Sequence, residues 1–258
     1  MLFFLLIYFK KINFIHVEQK KFSIGEAFES AWQHFKQNAG FFLLVFFVTY
    51  ALSFGWSTIS TGLLVNGSIF LGVSILILST ILQVIMSIGL LKISLRAIRG
   101  EKNDFFDLFS QYRFFWKYVF SSILFGLCAG AFLFFTLILF FLWTSFGTAF
   151  GVTETVFQIG TVFLGLLGLA GLLVFLFFAT RFQFFGYCIV DKNAGIRESL
   201  RVSYQMTQGI FWKLFILGII LILLNVAGAM VFFVGLFFTV PITMLITALV
   251  YERISKMT

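Results

Sequence analysis

The chain has 258 residues, of which 61% are hydrophobic and only 11% are charged, and its net charge is +8. Soluble domains usually contain about 45–50% apolar and about 25% charged residues, so the composition excludes a soluble globular protein. Apolar runs of about 18 residues or more recur, and a helix of that length crosses a hydrocarbon core about 30 Å thick. The basic residues lie in short loops beside these runs. This placement is typical of membrane orientation and contact with anionic lipids, and it argues against nucleic-acid binding.

The apolar runs are uniform rather than alternating. Residues 132–142, for example, are apolar apart from one threonine, whereas the strands of a membrane β-barrel alternate apolar and polar residues over about ten positions. The sequence therefore predicts an all-α polytopic membrane protein with six transmembrane helices and three interfacial amphipathic helices.

Residues 1–21 are predicted to form an interfacial anchor or an N-terminal extension. Their apolar run is too short to span a membrane, and no signal-peptide cleavage pattern follows it. Ser23-Ile-Gly-Glu26 has the spacing of a capping box and predicts the start of the first amphipathic helix. The first two spans are predicted over about residues 40–59 and 69–95, with an uncharged loop between them.

The tripeptide Phe-Trp-Lys occurs twice, at residues 115–117 and 211–213, each time between an amphipathic segment and a long apolar run. These amphipathic segments open at about residue 103 and after residue 193. The remaining spans are predicted over about residues 116–142, 156–190, 211–230 and 234–252. We therefore expect a single membrane domain, residues 1–258, built as three degenerate helix-plus-hairpin units over about residues 22–102, 103–192 and 193–258.

The distribution of basic residues predicts the topology. All 18 Lys and Arg residues lie at or near residues 10–36, 92–117, 181–213 and 253–256, and the three other turns contain none. The positive-inside rule places the basic side in the cytoplasm. Both termini are then cytoplasmic, and the number of spans is six.

No enzyme motif is present. His16 and His34 do not form a metal-binding pair, and Cys128 and Cys188 lack partners at metal or redox spacing. We therefore expect no cofactor, no metal and no enzymatic activity. Acidic side chains near the starts of the amphipathic helices are expected on their solvated faces, where the helix dipole favours them; they are Glu26, Glu29, Asp104, Asp107 and Glu198.

A few polar or helix-breaking residues within the spans are candidate ligand or packing residues, because polar groups are costly in lipid. Gln83 and Asn225 are predicted at mid-span, where interhelical hydrogen bonds are the simpler explanation. Arg181 is expected to extend to the interface or to pair with Asp191 or Glu198. Pro241 is expected to interrupt the sixth helix and to free a backbone carbonyl.

The sequence from Asp191-Lys-Asn-Ala-Gly-Ile-Arg-Glu-Ser-Leu-Arg-Val-Ser203 through Thr207-Gln-Gly209, Val240-Pro241 and Tyr251 resembles a bacterial group. The group comprises multi-span membrane proteins of the YciC type and the membrane domain attached to some glycerophosphoryl diester phosphodiesterases. The resemblance covers about residues 180–255 and implies a bacterial inner-membrane helical bundle. It implies no phosphodiesterase activity, because the catalytic domain of those enzymes is a separate soluble barrel.

These observations predict a non-enzymatic membrane module that binds lipids, anionic ones above all, or another membrane protein. The candidate anionic-lipid contacts are Lys102, Arg113, Lys117, Arg197, Arg201 and Lys213. The alternative is a transporter or channel for a small or amphiphilic solute, which the repeats and the intramembrane polar residues would serve.

Overall fold

A computed structural model describes residues 23–150, 153–231 and 234–256. The predicted extension over residues 1–21 lies outside the described residues. Over the described ranges the chain is all-α. Its helices are α1 (Ile24–Gln37), α2 (Ala39–Val65), α3 (Ile69–Ile98), α4 (Asp107–Ser110), α5 (Phe115–Phe150), α6 (Glu154–Phe182), α7 (Phe185–Lys192), α8 (Ile196–Met206), α9 (Phe211–Met230) and α10 (Leu236–Ser255), with a 3₁₀ turn at Tyr112–Phe114.

Six segments of the described chain are long and apolar enough to cross a membrane. They are α2, α3, the segment Asp107–Gly147 that contains α4 and most of α5, α6 with α7, α9, and α10. The prediction of an all-α polytopic membrane protein with six spans is confirmed.

The spans pack as three hairpins, α2–α3, α5–α6 and α9–α10. The three short helices that precede the hairpins, α1, α4 and α8, pack on them in cyclic order. Helix α4 packs on α3, α8 packs on α5, α6 and α7, and α1 packs mainly on α10. Each short helix therefore contacts the second span of the preceding hairpin, and α1 closes the ring on the last one. The internal repeat itself stays a prediction.

The buried core lies at the end of the bundle that carries the basic loops. It joins side chains such as Phe35 of α1, Ile93 of α3, Cys188 of α7 and Tyr251 of α10. Away from this end the spans expose large apolar side chains, as helices that face lipid do. Helix α10 is the most buried span, with 44% of its most apolar stretch buried, against 6% for the span that contains α6. Helix α10 is therefore the central span.

The second amphipathic segment forms only one turn of α-helix. Asp104 Oδ1 accepts a hydrogen bond from Phe106 N, and Asp107 Oδ2 accepts one from Asp104 N at 3.4 Å. Short acidic side chains that bond to nearby backbone in this way compete with helical hydrogen bonds. The residues before α4 consequently form a turn rather than a longer surface helix.

Two further details differ from the sequence prediction. The fourth span is broken between Phe182 and Phe185, where α6 ends and α7 begins. Pro241 does not interrupt the sixth span, because it is buried in the second turn of α10 and the helix continues to Ser255.

Candidate functional site

The ends of the three second spans meet in an ionic cluster at the basic end of the bundle. Arg99 follows α3, Asp191 lies in the last turn of α7, and Glu252 lies in the last turn of α10. Arg99 Nη2 is 2.8 Å from Asp191 Oδ1 and 2.7 Å from Glu252 Oε2. Tyr251 Oη donates a hydrogen bond to Asp191 Oδ2 at 3.0 Å. The hydrogen bond to Glu252 and the nearby Asp191 raise the pKa of Arg99 above its ordinary value, so this cation holds one span end from each hairpin together.

A second ionic cluster fixes α4 on α3. Asp107 of α4 is only 7% exposed and pairs with Arg96, and its Oδ1 lies 3.1 Å from Lys92 Nζ. Arg96 also pairs with Glu101 at 3.1 Å. The expectation that Asp107 lies on a solvated face is wrong, because its position on the single turn of α4 points it at the two cations of α3.

The remaining two ion pairs lie at the C-terminal end of α10, one with α1 and one within the last turn of α10 and the residue after it. Arg253 Nη1 lies 3.1 Å from Glu26 Oε2, and Lys256 Nζ lies 3.2 Å from Glu252 Oε1. Each ion pair of the described residues thus involves a cation at the C-terminal end of α3 or α10. These pairs involve five of the acids, whereas Glu29, Asp104 and Glu198 form no ion pair with a described residue. The other cations of the same membrane side have no acid within 4 Å among the described residues.

Most of the predicted lipid contacts belong to this uncompensated group. Five of them are exposed and form no ion pair with a described residue: Lys102, Arg113, Arg197, Arg201 and Lys213. The sixth, Lys117, instead donates to Asn193, with Nζ 2.8 Å from Oδ1 and 3.2 Å from the backbone O. Lys117 thereby links the start of α5 to the loop before α8.

Exposed tryptophans accompany these cations. Trp32, Trp116 and Trp212 are 45%, 66% and 71% exposed. Trp32 lies in α1, and Trp116 and Trp212 lie in the first turns of α5 and α9, so each is near the start of a hairpin. The Lys36 ammonium lies 5.3 Å from the Trp32 ring centroid. Tryptophans with neighbouring lysines are typical of the headgroup level of a membrane.

Arg181 lies in an aromatic cage at the break between α6 and α7. Its guanidinium carbon is 5.4 Å from the ring centroid of Phe177, and 5.0 Å from those of Tyr204 and Phe211. Nη1 donates to Thr207 O at 3.1 Å, and Nε is buried and has no acceptor in the part of the chain that the structure describes. The expectation that Arg181 pairs with Asp191 or Glu198 is wrong. Asp191 pairs with Arg99, and Glu198 Oε2 accepts from Gly195 N at 3.1 Å.

Ser203 of α8 bridges the broken backbone of the same span. Its Oγ accepts a hydrogen bond from Phe184 N at 3.2 Å and donates to Arg181 O at 3.0 Å. A break in a span leaves backbone groups that lipid cannot satisfy. Ser203 satisfies two of them, and the sequence offered no signal for this role beyond a small polar residue on the inner face of α8.

We expect Ser203→Ala to destabilise the protein by about 1–3 kcal/mol, the usual cost of leaving a buried polar group unpaired. Ser74→Ala is the matched control, because Ser74 is exposed and its Oγ only donates to Phe70 O of its own helix. Thermal unfolding in detergent, followed by tryptophan fluorescence, measures both. Equal melting temperatures for the two variants would contradict the bridging role.

The structure separates the other intramembrane candidates. Asn225 Nδ2 is 3.4 Å from Thr243 Oγ1, which is the interhelical contact expected between α9 and α10. Gln83 is exposed on α3, and its side chain forms no hydrogen bond with a described residue. Gln83, Asn225 and Pro241 therefore do not share a site through hydrogen bonds.

Within the described residues no three His, Cys, Asp or Glu side chains are placed to hold a metal ion. No family model matches the chain, and no curated protein or solved structure matches it.

Proposed function

We propose that this integral membrane protein is a non-enzymatic module whose basic side binds anionic lipid headgroups. The observation that carries the proposal is the separation of its charges. Every acid that forms an ion pair among the described residues does so with Lys92, Arg96, Arg99, Arg253 or Lys256. The five exposed cations Lys102, Arg113, Arg197, Arg201 and Lys213 have no acid within 4 Å among the described residues. Uncompensated cations at an interface attract anionic lipids by about 1 kcal/mol each.

The same charges support a proposal for the placement of the protein. We propose that the basic side faces the cytoplasm of a bacterium, with both termini on that side of the inner membrane, as the positive-inside rule predicts. Membership of the YciC-type group is part of this proposal and supplies no active-site residue. A membrane protein partner is a second class of ligand for the same face.

Lipid binding is favoured over solute transport for a specific reason. Transport needs polar groups that line a continuous path across the membrane. Asn225 forms a hydrogen bond within the α9–α10 hairpin, and Gln83 is exposed on α3. These two residues do not contact each other, so they do not line a shared path.

Neutralising the five exposed cations should remove the lipid preference. The test variant carries Lys102→Gln, Arg113→Gln, Arg197→Gln, Arg201→Gln and Lys213→Gln. We expect its ratio of bound phosphatidylglycerol to bound phosphatidylcholine to be at least roughly threefold lower than that of the unchanged protein. The ratio is measured by native mass spectrometry after incubation in detergent with equal amounts of both lipids.

The matched control exchanges Lys and Arg at the same five positions and thus keeps every charge. Its ratio should equal that of the unchanged protein, because the attraction is electrostatic. A fully neutralised variant that still prefers phosphatidylglycerol to the same extent would refute the proposal.

A further inference from the structure

Arg181 differs from the other uncompensated cations because it lies in a span and is surrounded by rings. It is about 40 Å from Glu154 along α6 at about 1.5 Å per residue, which exceeds the hydrocarbon thickness of about 30 Å. Arg181 therefore reaches headgroup depth on the basic side. Phe211, whose ring contacts it, directly precedes the exposed Trp212, and tryptophan marks the same depth.

The cage holds the cation but does not neutralise it. Three rings lie within 5.4 Å of the guanidinium carbon, and cation–π contacts stabilise a cation without removing its charge. No acid of the described residues lies within 4 Å of Arg181. Among the described residues, only one of its three nitrogens, Nη1, has an acceptor, which is the carbonyl of Thr207. A charge that is partly withdrawn from water and unpaired favours binding of an anion.

A second observation at the same break also indicates a missing acceptor. The buried side-chain nitrogens without a hydrogen-bond partner in the described residues are Arg181 Nε and Gln183 Nε2. They lie two residues apart where α6 ends, and side chains at this spacing do not face each other on a helix. Arg181 Nε therefore shows that the guanidinium has fewer acceptors than it can use, and a phosphate bound to the same guanidinium would supply more.

Apolar surface continues from the cage toward the membrane centre. Phe177 is one turn deeper than Arg181 on α6, and its ring lies 5.2 Å from that of Phe211. Phe177 is 38% exposed and Ile216 of α9 is 50% exposed. The site thus has a cation at the interface and apolar side chains nearer the membrane centre. A ligand in which a phosphate is joined to an acyl chain fits this arrangement.

We propose that Arg181, in its cage of Phe177, Tyr204 and Phe211, binds the phosphodiester of one phospholipid between the second and third hairpins, with the unused Nη2 as donor. This inference rests on the proposed function and deepens it, because it assigns one defined lipid position. The guanidinium recognises the phosphodiester itself. The site therefore accepts phosphatidylglycerol and phosphatidylcholine alike, unlike the five exposed cations.

The test counts tightly bound lipid. Native mass spectrometry of the detergent-purified protein, titrated separately with phosphatidylglycerol and phosphatidylcholine, should show one high-affinity lipid of either kind. Arg181→Gln should weaken that lipid at least about tenfold, the effect of losing a hydrogen bond to a charged group, and leave the preference of the remaining weak sites unchanged. The five-cation variant should show the reverse pattern, so the two proposals fail separately. Equal high-affinity binding by Arg181→Gln would overturn this inference.

Inorganic phosphate distinguishes the two sources of a phosphate group. If the site is a lipid site, millimolar inorganic phosphate should not displace the bound lipid, because the acyl chain contributes to its binding. Displacement by phosphate alone would reassign the site to a soluble anion.

A measurement on the unchanged protein covers the case in which Arg181→Gln fails to fold. A phospholipid with a photoreactive diazirine in its headgroup should crosslink to residues around 177–183 and 208–213 after irradiation in proteoliposomes. Tryptic peptides analysed by mass spectrometry locate the crosslinks. Crosslinks that avoid both segments would overturn the assignment.

Discussion

Replacing Gly89 by alanine should displace α4 from α3 and lower the melting temperature of the protein in detergent by roughly 5–10 °C, the equivalent of about 3 kcal/mol for a chain of this size. A Cβ atom built on Gly89 would overlap the carbonyl oxygen, the carbonyl carbon and the Cα of Leu108. These are backbone atoms, so no side-chain rotation can relieve the overlap. Leu108 is fully buried, and the adjacent Asp107 is held by Lys92 and Arg96.

Gly126→Ala is the matched control for this prediction. Gly126 also lies inside a span, but a Cβ atom there meets nothing within 4 Å. Alanine is favoured over glycine in helices by about 0.8–1 kcal/mol, so this variant should melt at the same temperature as the unchanged protein or slightly above it. If the Gly89→Ala and Gly126→Ala variants had the same melting temperature, α4 would not pack closely on α3.

The spans were predictable because their signal comes from uniform apolar composition over many residues. The predicted fifth span, 211–230, coincides with α9, and the others differ mainly at their ends. Helix ends are set by local hydrogen bonds, such as those that Asp104 and Asp107 make before α4. Periodicity assigned these two acids to a solvated helix face, because it carries no information on which element packs beside them.

The candidate site was predicted only in part for the same reason. Sequence placed Arg181 at the interface and the six other cations on the basic side. The partners of these residues, however, come from distant parts of the chain. Arg99 meets Glu252, and Arg181 meets Tyr204 and Phe211. Such pairs depend on the cyclic packing of the short helices, and chain order alone does not specify that packing.

This cyclic packing gives the ionic cluster around Arg99 its importance. The lipid-facing halves of the spans expose large apolar side chains, whereas the buried core that joins the hairpins lies at the basic end. In lipid there is no hydrophobic force between helices to compensate for this. The hairpins are therefore held together mainly at the basic end, where the buried core and the ion pairs lie.

Arg99→Gln should consequently destabilise the assembly of all three hairpins. The side chains of Arg99, Asp191 and Glu252 are 34%, 15% and 13% exposed, between the surface pairs worth about 0–1 kcal/mol and the buried pairs whose breakage costs about 3–5 kcal/mol. Asp191 keeps the hydrogen bond from Tyr251, and Glu252 keeps Lys256. We therefore expect a loss of about 2 kcal/mol, measured as a lower midpoint of unfolding by sodium dodecyl sulfate.

Neutralising the two acids in the same variant separates charge from packing. Arg99→Gln with Asp191→Asn and Glu252→Gln should recover about half of the lost stability or more, because the loss arises from two carboxylates that no longer have Arg99 between them. Asp191→Asn and Glu252→Gln in the presence of Arg99 should destabilise instead, since Arg99 is then the unpaired charge. If the effects of the single and combined variants simply add, the three residues are not coupled. The hairpins would then be held together by the apolar core alone.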